Sequence, residues 1–189
     1  REINLADPAL GVVQIIQNTA DARIFGFEIE TQYALTDNLL LLGSLGHNNG
    51  DYNTILFDIG APSVSPGVVD EADLLLEIPR LAPWTWSMGF VHSIPLGDTS
   101  SFDTRFNYAH RDASFYTDNN LGFLNDLEII DASFALNINN RATFSIFGRN
   151  LLNENNFGGD TQLPLSLGAG TFSPLTEGRV IGAEFQIDL

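Results

Sequence analysis

The chain holds three histidines and no cysteine. A metal centre would therefore have to gather His47, His92 and His110 with carboxylates, since imidazole, thiolate and carboxylate are the common protein ligands of a transition metal. Disulfides and thiolate sites are excluded. A serine nucleophile needs a base within reach and an acid to orient that base. Ser87, Ser93, Ser133 and Ser145 stand in no such context, and Gly43-Ser44-Leu45-Gly46 lacks the spacing of a nucleophile elbow. Phosphate-loop and dinucleotide patterns are absent. Two sets of charges remain. Asp70, Glu71, Asp73 and Glu77 form the acidic run "DEADLLLE", which could draw in a cationic ligand or simply be a solvated loop. Glu28, Glu30, Asp103, Arg105, Asn107 and Arg111 are spread along the chain, and could bind a partner, a substrate or water.

What these groups can do depends on the elements that hold them. Apolar residues make up 44% of the chain, enough to build a core and too many for disorder. The net charge of -16 would repel phosphate backbones, so no nucleic-acid partner is expected. No run of about 18 apolar residues occurs, so no membrane-spanning helix is expected. The opening "REINLADPAL" has neither the basic start nor the apolar centre of a signal peptide, which suits a fragment or a mature segment.

Period-two alternation runs through the chain. Phe25, Phe27, Ile29, Tyr33 and Leu35 oppose Gly26, Glu28, Glu30 and Gln32. Trp84, Trp86, Met88, Phe90, Ile94 and Leu96 oppose Thr85, Ser87, Gly89 and Ser93. Phe102, Phe106 and Tyr108 oppose Asp103, Arg105, Asn107 and Arg111. The same alternation appears in Ile130–Ile138, in Ala142–Gly148 and in the terminal "VIGAEFQIDL". "NLLLLGSLGHNN" alternates less cleanly, and "GVVQIIQN" would make about eight strands in an all-β chain. At about 10 to 13 residues the strands exceed the usual length of about 5 to 6. About ten is what a tilted strand needs to cross a bilayer.

The connections sort by length. Thr36-Asp37-Asn38, Gly97-Asp98-Thr99-Ser100 and Asn139-Asn140 are tight turns of turn-forming residues. Between them lie long loops, from Tyr52 to Pro83, from Ala113 to Asp126 and from Leu151 to Glu177. Strict alternation of short and long puts all turns at one rim and all loops at the other, as in an antiparallel up-and-down transmembrane β-barrel. Trp84, Trp86 and Tyr108 then lie near the long-loop rim, and Tyr33 and Phe102 near the short-turn rim, where amphipathic rings would meet lipid headgroups. His92 lies near the short-turn rim while His47 and His110 lie near the other, too far apart to share a metal. Neither a metal, a cofactor nor a catalytic site is expected, and the chain reads as no enzyme.

Three segments carry a family resemblance: "NTADARIFGFEIETQYALTDNLLLLGSLGHNNGDY", "IPRLAPWTWSMGF" and "FGRNLLNENNF". Their order and spacing, followed by a C-terminal strand, resemble the C-terminal part of a TonB-dependent outer-membrane receptor across nearly the whole of residues 1–189. The resemblance implies the last third of a 22-stranded barrel, with the plug domain that fills the lumen and contacts TonB lying outside this chain. It implies a monomer in the bacterial outer membrane, surrounded by lipid and inserted by the barrel-assembly machinery. It also implies uptake of a scarce nutrient, a ferric siderophore first, by non-covalent binding and TonB-energised transport. Gly182, Phe185, Ile187 and Leu189 match the assembly signal of a terminal strand, although such strands usually end in Phe rather than Leu. Glu28, Glu30, Asp103, Arg105, Asn107 and Arg111 would face the lumen, for plug or substrate contact. Asp70, Glu71, Asp73, Glu77, Phe157 and Phe172 would lie in extracellular loops. Two other readings share the alternation: a complete eight-stranded barrel with a structural or adhesive role, and a soluble β-sandwich that would cover its apolar face with a second sheet.

Overall fold

The computed structural model describes residues 2–7, 11–16, 18–56, 58–59, 69, 71–156, 161–162 and 171–187. Its strands are β1 (Glu2–Asp7), β2 (Gly11–Ile16), β3 (Ala20–Thr36), β4 (Leu39–Ile55), β5 (Trp84–Pro95), β6 (Ser101–Arg111), β7 (Ser114–Phe115), β8 (Phe123–Leu124), β9 (Leu127–Ile138), β10 (Ala142–Arg149), β11 (Thr161–Gln162), β12 (Thr171–Phe172) and β13 (Val180–Ile187). Seven of them form one antiparallel sheet in the order β13-β10-β9-β6-β5-β4-β3. Neighbours in the sheet follow chain order, so the topology is up-and-down. Within the described residues the sheet does not close, and β3 and β13 each have one unpaired edge.

Two sequence expectations change. Gly11–Ile16, read as an eighth strand of the sheet, pairs with Glu2–Asp7 in a separate hairpin. Alternation fixes which face a residue takes but not which strand lies beside it, so the partner was not readable. The hairpin β3–β4 is also longer than expected, at 17 residues per strand. Asn48–Ile55 continue past the point where β5 begins opposite His47, carrying this hairpin about 27 Å further at about 3.4 Å per residue.

The short turns have the backbone their residues favour. Asn139 and Asn140 both have φ of 53°, the left-handed pair of a type I′ hairpin, and Arg141 N–H donates to the Ile138 carbonyl at 3.0 Å. At Gly97 φ is 94°, a conformation that side chains other than glycine rarely adopt. The turns also bond to neighbouring strands and turns, as Ser93 N–H to Asn38 O at 2.9 Å and Asn140 N–H to Thr99 O at 3.0 Å.

The register separates two faces. One carries Phe27, Ile29 and Tyr33, then Leu41 and Leu45, then Trp86, Met88 and Phe90, and continues to Phe144 and Phe185. The other carries Glu28, Glu30, Ser44, Ser87, Asn107, Arg105, Ser133, Ser145 and Glu184. The apolar face is open: Met88 is 54% exposed, Phe144 48% and Phe185 64%. A soluble sandwich would bury these groups. The buried apolar residues among those described are Ile55, Ile59, Ala82 and Leu124, all at the long-loop end.

Candidate functional site

On the polar face the sheet places most of the charges named from the sequence. Glu28 and Glu30 lie exposed on β3, opposite Gly46 and Ser44. Asp103 belongs to a network across four strands. It accepts from Ser93 Oγ at 2.5 Å and from Asn137 Nδ2 at 2.6 Å, while Thr143 Oγ1 donates to Asn137 Oδ1 at 2.8 Å. This network fastens the wall near the short turns, and it occupies the Asp103 carboxylate. Arg111 is half-buried beside the long-loop rim, and its Nε has no hydrogen-bond partner.

Arg105 and Asn107 lie elsewhere on this face, at a concavity of about 510 Å³. Gly89, beside Asn107 in register, is closely packed: a Cβ there would stand 2.6 Å from the Phe106 carbonyl and 3.2 Å from Asn107 Oδ1. Leu42 and Asn107 flank Gly89 in register, and the backbone there closes on it too tightly for a side chain. On the far side stand Asp131, Phe147 and Arg149. The sequence reading passed over Asp131 and Arg149. Continuing the parity of Thr143 and Ser145 by two positions at a time would have reached Phe147 and Arg149.

The loops are bonded to one another. Glu77 N–H donates to Asn120 Oδ1 at 2.7 Å, and Asn120 Nδ2 returns a bond to the Glu77 carbonyl at 2.8 Å. Arg80 N–H donates to the Phe115 carbonyl at 2.6 Å, and its guanidinium lies 4.3 Å from the Tyr116 ring centre. Ile78 and Leu81 approach Gly50, where a Cβ would meet each at 2.8 Å. Of the expected loop contacts, Glu71 is exposed, Asp73 is buried, and Glu77 engages Asn120 through its backbone. Asp70, Phe157, Leu189 and the Phe172 side chain lie outside the described residues.

The stretch "FGRNLLNENNF" proves to be an asparagine-built neck for the last loop. Asn150, only 6% exposed, donates from Nδ2 to the carbonyls of Glu154 and Glu177 at 2.8 and 3.0 Å, and accepts from Glu154 N–H at 2.8 Å. Its own N–H donates to Asp131 Oδ1 at 2.8 Å. Asn156 and Thr176 close the neck through Asn156 N–H to Thr176 Oγ1 at 3.1 Å and Thr176 N–H to Asn156 O at 2.8 Å.

Gly182 sits under the Phe147 ring, where a Cβ would lie 2.4 Å from the ring edge. Phe185 and Ile187 project from the apolar face opposite Phe144 and Ala142. At the long-loop rim of that face, His47 stacks on Trp84 at 4.2 Å and His110 on Trp86 at 5.4 Å, with Tyr108 4.9 Å from Trp86. His47 Nδ1 bonds Pro83 O at 3.0 Å, and His110 Nε2 bonds Asp112 Oδ1 at 2.9 Å. His47 and His110 thus join an aromatic band, while His92 lies opposite Leu39 and Thr104 near the short turns, and no group of three or more His, Cys, Asp or Glu residues suited to a metal occurs among the described residues.

No family model and no curated protein matches the sequence. Solved structures do match. The ferric yersiniabactin uptake receptor FyuA from Yersinia pestis is 13% identical with a TM-score of 0.72, over 91% of this chain and 24% of the receptor. The siderophore receptor PiuA from Acinetobacter baumannii is 14% identical with a TM-score of 0.66, over 98% of this chain and 24% of the receptor. BauA, the ferric preacinetobactin receptor from the same organism, is 11% identical with a TM-score of 0.59, over 98% and 25%. The chain spans about a quarter of each receptor's length. Its all-β up-and-down sheet has the fold of a section of these receptors.

Proposed function

We propose that residues 1–189 are the C-terminal portion of a TonB-dependent receptor barrel in the bacterial outer membrane, and that the whole protein takes up a ferric siderophore. The observation that carries this reading is the open apolar face joined to a charged face on the same long strands. In water such a face would drive aggregation; in a bilayer it is the surface that lipid requires. Trp84 to Ile94, with about eleven residues at about 45° tilt, rises about 25 Å, the height of the apolar band of such barrels. The aromatic group of His47, Trp84, Trp86, Tyr108 and His110 would mark its outer border. The charged face would then line the lumen, and the bonded long loops would form the outer mouth.

The remaining strands, the plug and the TonB contact would come from sequence beyond these residues. Lipid does not tolerate open strand edges, so β3 and β13 need partners. Among the described residues, seven strands with both edges unpaired do not suit the eight-stranded alternative. Binding would be non-covalent, without enzymatic chemistry on this chain. The protein would act as a monomer after insertion by the barrel-assembly machinery, with Gly182, Phe185, Ile187 and Leu189 read as its signal.

The test is growth on a panel of ferric siderophores under iron limitation. Cells carrying the full-length gene should grow on at least one, and lose that growth when the gene or tonB is deleted. Growth unaffected by both deletions on every siderophore, or a full-length product recovered from the soluble fraction, would overturn the proposal.

A further inference from the structure

On the barrel reading just given, we infer that a groove on the lipid-facing side of the sheet seats an acyl chain of a phosphate-bearing outer-leaflet lipid, with Arg179 taking the phosphate. The groove has a volume of about 170 Å³ and is lined by Ala132, Phe134, Ile146, Gly148, Leu151 and Ile181. Its shape follows from the register. Phe106, Ala132, Gly148 and Ile181 stand in one row across β6, β9, β10 and β13, so two small residues lie between two large ones. In the next row toward the short turns, Phe134 and Ile146 are paired and close one end. At the other end Leu151 folds back over Gly148, where a Cβ would stand 2.5 Å from Leu151 Cδ2.

Phe134, Ile146 and Ile181 are exposed on the face that carries Phe144 and Phe185, opposite the charged face. Closing the barrel and filling its lumen leave that side untouched, and a strand added to β13 would lie beyond Ile181. A gap left empty there forfeits dispersion contacts, which a hydrocarbon chain lying along the strands restores. Charge selects the lipid. Arg179 lies two residues outward from Ile181, and alternation carried from β13 puts it on the same side. Its N–H donates to Asn153 Oδ1 at 3.0 Å, which fixes the backbone at that point. The side chain is exposed, and no ion pair involves it among the described residues. A guanidinium takes a phosphate in two parallel hydrogen bonds. The long-loop rim, where the aromatic band lies, is the level of the outer headgroups. A single lipid can therefore place its phosphate on Arg179 and a chain in the groove below.

The test uses the full-length protein folded in a neutral detergent and native mass spectrometry. The probe is bisphosphorylated lipid A, and the same lipid stripped of both phosphates is the control. The expected result is retention of the probe at least about tenfold tighter than the control, the worth of one charge-assisted contact. Arg179→Gln should weaken the probe about tenfold and leave the control unchanged. Ala132→Leu, which fills the groove, should weaken both lipids. Heat-modifiable migration on gels establishes that each variant is a folded barrel. Equal binding of the two lipids, or either variant binding the probe like the parent, would overturn the site. If the parent is a dimer that Ala132→Leu dissociates, a second copy fills the groove and the lipid assignment fails. A protein that is monodisperse without detergent would instead sink the barrel reading itself.

Discussion

The wall and the loop cluster of this chain solve the burial problem in opposite ways. On the wall, Met88, Phe144 and Phe185 stand about half-exposed or more, and no described element covers them. At the long-loop end, where a receptor would meet solvent, Ile59 is 1% exposed and Ile55, Ala82 and Leu124 are buried. A water-soluble domain of this size would bury its strands and leave its loops open. Here the loops carry their own packing and hydrogen bonds, while the apolar side of the strands is left uncovered by any described element. The loop cluster is therefore a built structure beside the long β3–β4 hairpin, and loop and wall should respond to mutation by different rules.

The largest effect expected is in the loops. Ile59→Ala removes most of a buried side chain and should cost about 2–5 kcal/mol of local stability. Hydrogen exchange on the full-length protein should show faster opening in residues 71–83 and 112–124, with the amides of β5 and β6 unchanged. Equal loss of protection in loops and wall would erase the distinction.

On the wall the sensitive variable is depth. Met88→Arg, near the middle of β5, should destabilise the folded barrel by about 2–4 kcal/mol in urea titrations in lipid. Leu35→Arg, at the short-turn rim, should cost about 0–1 kcal/mol. Both positions are more than half-exposed, so exposure alone predicts no difference between them. A flat profile would mean that water and not lipid faces these residues.

The neck of the last loop joins the two regions. Asn150→Ala would leave the Glu154 and Glu177 carbonyls and the Glu154 N–H without their partner, at about 1–3 kcal/mol. Limited proteolysis should then cut within residues 150–156 while β9 and β10 remain protected. Cleavage unchanged from the parent would show that Asn156 and Thr176 hold the neck alone.

These contrasts were unevenly legible in the sequence. Strands, faces and loop sorting could be read because alternation of the kind seen in Trp84–Ile94 follows directly from the pleat. Asn139-Asn140 announced its turn because asparagine tolerates positive φ. Partners across the fold could not be read in this way. Nothing local distinguishes Asn150 and Asn120, which tie loops together, from Asn49 or Asn53 on the extended hairpin. The Arg105 concavity was half visible: parity gave Arg105 and Asn107, but only the register across β6, β9 and β10 brings Phe147 and Arg149 to them. Side-chain pairing over long sequence separations is set by strand order, which composition does not encode.

The smallest effect expected lies on the wall, where β13 meets β10. Gly182→Ala would place a methyl group 2.4 Å from the edge of the Phe147 ring. That neighbour is the free end of a half-buried side chain, so the ring can turn aside. The cost should be about 1 kcal/mol, that of an off-rotamer side chain, and the urea midpoint should move little. Phe147 also lines the concavity of Arg105 and Arg149. If stability falls sharply instead, Gly182 serves the packing of β13 on β10. If the midpoint does not move at all, the ring has room to spare and does not hold β13 against β10.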